Sequence, residues 1–73
     1  MDIKEARSIY NDIWAYHKKY MVIQNDERFL KSMIAEKDEF LKKYSENPFA
    51  KEMIFIVFKS LLASWKEQFA PEQ

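Results

Sequence analysis

The chain has no glycine and no cysteine, and it has only two prolines and one histidine among 73 residues. Each absence removes a class of chemistry. Without glycine there is no glycine-rich loop to wrap a phosphate. Without cysteine there are no disulfides and no thiolate metal sites, which fits a reducing compartment; the expected location is cytoplasmic. One histidine is too few for a transition-metal site built on imidazole. Neither sign of charge prevails, because Lys+Arg and Asp+Glu each total 12. The balance also holds locally: +1 over residues 1–24, −1 over 25–47 and 0 over 48–73. A nucleic-acid binder usually carries a basic excess, since phosphate contacts supply much of its affinity. The first residues, MDIKEARSIY, are charged and amphipathic, unlike a signal peptide. The longest apolar run, Met53 to Phe58, is six residues, far below the roughly 20 of a membrane span.

What is present is helical periodicity. Asp2 suits a first N-cap, with Glu5 placed for a capping box. Ile3, Ala6, Ile9, Tyr10, Ile13, Tyr16, Tyr20 and Met21 then recur at three- and four-residue steps. The stretch VIQNDER breaks this pattern, and Asn25 or Asp26 can cap a second helix. Its apolar face is Phe29, Leu30, Met33, Ile34, Phe40, Leu41 and Tyr44, with Glu27–Lys31, Asp38–Lys42 and Glu39–Lys43 as i,i+4 pairs on the wet side. Asn47 followed by Pro48 starts a third helix. It runs without interruption to about Phe69, and Pro71 lies just past its end. Six β-prone residues at 53–58 would alone suit a strand, but they sit inside this long segment with nothing to pair with. No internal repeat and no low-complexity region stands out. The expected architecture is all-α, one domain over residues 1–73, with helices at about 2–23, 26–44 and 48–69. Short connections favour an antiparallel up-down-up three-helix bundle.

The third helix carries more apolar surface than one core face requires. On a helical wheel, Phe55, Phe58, Leu62, Trp65 and Phe69 form the expected core stripe, widened by Ile54, Val57 and Leu61. Phe49, Met53 and Ile56 fall on the other side, and these three are the candidate partner-binding residues. The bland reading makes the third helix central, touched on two sides by its neighbours. His17 lies in the apolar arc of the first helix and is expected to pack, since no Ser, Cys or Asp is placed to form a catalytic set with it. Lys37 falls in the apolar arc of the second helix, and its stem is expected to lie on apolar surface with the amine reaching water or a carboxylate. Lys18 and Lys19 are expected to project away from the tyrosines of YHKKY, and Glu36, Asp38 and Glu39 to be solvated.

These residues exclude most chemistry. There is no HExxH-type ligand spacing and no nucleophile beside a base, so the sequence reads as non-enzymatic, with no cofactor, metal or small-molecule substrate. The expected function is a small helical protein–protein interaction module, homodimerising or binding a partner through an apolar face of the third helix. The alternative is a small DNA-associated transcriptional regulator. It suffers from an apolar third helix where a recognition helix would carry polar and basic groups. Lysine outnumbers arginine ten to two, a composition that suits a bacterial source.

Overall fold

The structure is a computed structural model that describes residues 1–69. Pro71 lies outside the described residues. Three helices follow one another: α1 (Ile3–Tyr20), α2 (Glu27–Lys43) and α3 (Pro48–Phe69). The six-residue run of the third segment is helical throughout, and the described residues contain no strand. Each helix starts at a side-chain cap. Asp2 accepts from the Glu5 N–H at 2.7 Å, Asp26 from the Arg28 N–H at 2.8 Å, and Asn47 Oδ1 from the Ala50 N–H at 3.0 Å. Such caps satisfy donors that the first helical turn leaves unpaired. α1 stops at Tyr20, three residues short of the expected end, and Met21 to Asp26 form the first connection.

Contacts between helix ends give the topology. The end of α1 meets the start of α2 through Tyr20 and Phe29, whose rings are 5.3 Å apart. The start of α1 meets the end of α2 through Ser8 and Tyr44. Those two helices are therefore antiparallel. α3 begins beside α1, where Phe49 packs edge-on to Tyr10 at 5.8 Å, and it ends beside the α1–α2 connection, where Trp65 Nε1 donates to the Gln24 carbonyl at 3.1 Å. The result is the up-down-up bundle. α3 packs on both other helices.

The core follows one rule in all three helices. Seven residues after each cap comes a fully buried side chain: Ile9 after Asp2, Met33 after Asp26, and Ile54 after Asn47. Seven further on come Tyr16, Phe40 and Leu61, also buried. Spacings near seven keep one face inward over two turns, as in coiled-coil packing. Ala50, Ile13, Tyr20 and Tyr44 complete the cluster. On α3 this corrects the expected core stripe. The buried line runs through Ala50, Ile54 and Leu61, while Phe55 is 41% exposed. The helix is turned by roughly one residue's step, on the order of 100°. The reason is its central place. Both flanks of α3 are covered, so the inward line bisects the two flanks and leaves the far edge of the predicted stripe outside.

Candidate interaction surface

The polar groups that could support chemistry come together in two clusters, both between α1 and α2. In the first, Asp12 Oδ2 accepts from Lys43 Nζ at 2.7 Å and from the Tyr44 hydroxyl at 2.6 Å, and Ser8 Oγ lies 2.6 Å from that hydroxyl. In the second, Glu36 Oε2 accepts from Lys19 Nζ and, at 2.5 Å, from the Tyr20 hydroxyl. The two are the same arrangement with the helices exchanged. Adding 24 to a number in α1 gives its counterpart in α2: Asp2 and Asp26, Ser8 and Ser32, Ile9 and Met33, Asp12 and Glu36, Tyr16 and Phe40, Lys18 and Lys42, Lys19 and Lys43, Tyr20 and Tyr44. The chain thus contains a 24-residue repeat that its sequence alone did not bring to notice. Its members fold into an antiparallel pair, so each Lys–Tyr end clamps the carboxylate of the other copy.

In both clusters the donors and acceptors engage one another across the α1–α2 pair. Burial works to raise the Asp12 carboxyl, but hydrogen bonds from Lys43 and Tyr44 outweigh it and keep the group below its ordinary range. Glu36 is held low in the same way by Lys19 and Tyr20 against its own burial. Burial and the neighbouring Glu36 push the Tyr20 hydroxyl up, so it stays protonated, and burial does the same for Tyr16, which donates to the Met33 carbonyl at 2.9 Å. A carboxylate fixed in its ionised form by two donors is a poor general base, because its lone pairs are already engaged. This corrects the expectation for Glu36, which is half-buried and bonded across helices. Asp38, exposed, pairs with Lys37 at 3.2 Å, and Lys43 pairs with Asp12 instead of Glu39. Glu5 corrects the expected capping box, since its carboxylate accepts from Asn47 Nδ2 at 3.0 Å.

The singled-out residues of the first two helices each contact neighbouring side chains. His17 is half-buried, with its ring edge-on to Trp14 at 6.5 Å. Lys18 and Lys19 part company: Lys18 lies over the exposed Trp14 ring at 5.8 Å, whereas Lys19 turns to Glu36. Lys37 does as its position requires. Its side chain is 16% exposed, its stem crosses to α3, and its Nζ sits 4.7 Å from the Phe58 ring centre and beside Asp38.

The outer face of α3 is different. Of the three candidate binding residues, Phe49 and Met53 are half-buried and pack against the core, while Ile56 is 65% exposed. Phe55, assigned to the core from sequence, joins Ile56 outside. Together with Glu52 and Lys59 they line one shallow depression, and Ala63 continues the face one turn on. Two adjacent large apolar side chains thus present surface to water beside a completed inner face, Ile56 more fully than Phe55, whose ring centre lies 5.9 Å from Lys37 Nζ of α2. Among the described residues no helix is long and apolar enough to cross a membrane, and no group of acidic or histidine side chains is arranged to hold a metal. No family model matches the chain, and neither a curated protein nor a solved structure matches it.

Proposed function

We propose that the protein is a non-enzymatic helical interaction module that works by apposing the outer face of α3 to another helical surface. One observation carries this reading: Phe55 and Ile56 lie exposed side by side on a helix that has finished its own packing. Buried by a partner, each would contribute on the order of 1.5–3 kcal/mol, against the entropy lost on association. The charged groups around them, Glu52 and Lys59, form the polar rim that such contacts usually have. The polar clusters between α1 and α2 support the reading from the other side. Their donors and acceptors are engaged in holding the hairpin, which makes a rigid platform for α3.

The test is Ile56→Glu, made beside Ile54→Glu as a core control. Ile56→Glu is expected to keep the helical circular dichroism of the wild type while losing association measured by sedimentation. Ile54→Glu is expected to unfold the chain, because it puts an unpaired charge where exposure is 0%. Unfolding by Ile56→Glu would make the residue ordinary core, and unchanged association would place the contact elsewhere.

A further inference from the structure

The occupant of this face can be read from the charges that bracket it. Glu52 lies three residues before Phe55, and Lys59 lies three residues after Ile56. The apolar pair therefore has one acid and one base placed symmetrically about its midpoint, all on one side of α3. Among the described residues, no salt bridge engages either of them. A surface with a negative end and a positive end calls for a partner with the same two charges in reverse order. An antiparallel copy of the same helix meets that demand.

We infer that α3 pairs with α3 of a second copy, antiparallel, about a twofold axis passing between Phe55 and Ile56. The axis sets Phe55 of each copy against Ile56 of the other, and Glu52 of each against Lys59 of the other. One turn further out, Ala63 meets Pro48, two exposed residues without long side chains, so the helices can approach closely at both ends of the contact. A twofold interface must be complementary to itself. A parallel pairing would oppose Glu52 to Glu52 and Lys59 to Lys59. Only two large apolar side chains per copy enter the contact, so the dimer is concentration-dependent and its affinity falls with added salt. The inference rests on the outer face of α3 being the contact face.

The experiment is sedimentation of the full chain over a concentration series at low salt. It compares the wild type with Glu52→Lys, with Lys59→Glu, with an equimolar mixture of those two variants, and with Ile56→Glu. Each charge variant alone converts both ion pairs of the dimer into like-charge contacts, and association is expected to weaken by roughly tenfold or more. Mixing them restores both pairs, because one copy then carries two bases and the other two acids. Association recovered only in the mixture supports the antiparallel twofold. A wild type that stays monomeric at every concentration overturns the second copy as occupant. Charge variants that associate like the wild type, while Ile56→Glu does not, overturn the register and leave the face standing. Association that survives Ile56→Glu as well removes the face itself. Circular dichroism of each variant checks that the fold is intact, as exposed positions require.

Discussion

Tyr20 and Tyr44 end the two halves of the helical hairpin, and each lends its hydroxyl to a carboxylate on the opposite helix: Tyr20 to Glu36 and Tyr44 to Asp12. Both rings are almost wholly buried, at 2% and 7% exposure, while their hydroxyls reach the edge of the interface. Each thus joins a core contact to a charge-assisted hydrogen bond. Because one lies at each end of the pair, the two together fix the register of α1 against α2.

Tyr20→Phe and Tyr44→Phe are each expected to lower stability by about 1–2 kcal/mol in urea titrations at neutral pH. That is the usual worth of a hydrogen bond to a charged group, reduced for partial exposure. The two losses should add, since the clusters share no residue. The effect also has a sign with pH. Asp12 and Glu36 are depressed in the folded chain, so their contribution is complete above the ordinary carboxylate values and drains away as pH falls through the folded ones. At the alkaline end, the Lys43 amine is raised by its bond to Asp12, and its contribution is present below its ordinary value and lost above. Stability should therefore fall on acidification, and it should fall less steeply in Asp12→Asn/Glu36→Gln. An equal acid slope in that double variant would show that other groups govern acid unfolding.

How far the fold was legible follows from the same residues. Caps at Asp2, Asp26 and Asn47 and the three- to four-residue steps are local signals, and they gave three helices with ends within a few residues. The rotation of α3 is not local. It depends on α1 and α2 flanking it on two sides, which placed Phe55 outside and drew Phe49 and Met53 inward. Of the three candidate binding residues only Ile56 is exposed, for that reason. The clamps were hidden because Asp12, Lys43 and Tyr44 are far apart in the chain, and wheels treat one helix at a time. The signal was there in the shared endings HKKY and LKKY, with an acid seven residues before the second lysine of each.

Lys37 tests the repeat at one of its mismatched positions. Its counterpart 24 residues earlier is Ile13, a core residue at 6% exposure. Lys37 fills the equivalent place with its stem and turns its amine out over Phe58 toward Asp38. Lys37→Met removes a cation–π contact of about 0.5–1 kcal/mol and an ion pair to the exposed Asp38 carboxylate of about 0–1 kcal/mol. It also removes the cost of holding a charge beside apolar rings. The expected outcome is unchanged stability or a gain of up to about 1 kcal/mol by thermal and urea unfolding. A loss beyond about 2 kcal/mol would mean that the amine has a buried partner other than Asp38.

Asn47 is where the three helices are tied together, and it is the one polar residue buried in the described chain, at 8% exposure. Its Oδ1 caps α3 at Ala50, its Nδ2 donates to Glu5 on α1, and its own N–H donates to the Tyr44 carbonyl at the end of α2. Asn47→Ala removes a cap, worth about 1 kcal/mol, and a buried donor to a carboxylate, worth about 1.5–3 kcal/mol before discounting for exposure. A loss of about 2–3 kcal/mol is expected, the largest of any polar substitution in the chain. Asn47→Asp separates the two roles. It keeps the acceptor for Ala50 but sets a carboxylate 3.0 Å from the Glu5 carboxylate oxygen, where the amide now donates. It should therefore be destabilising despite being a good capping residue. Adding Glu5→Gln supplies a donor in place of the second acid and should recover most of the loss. If Asn47→Asp proves as stable as the wild type, the bond to Glu5 has no weight, and the cap alone explains why asparagine stands at the junction.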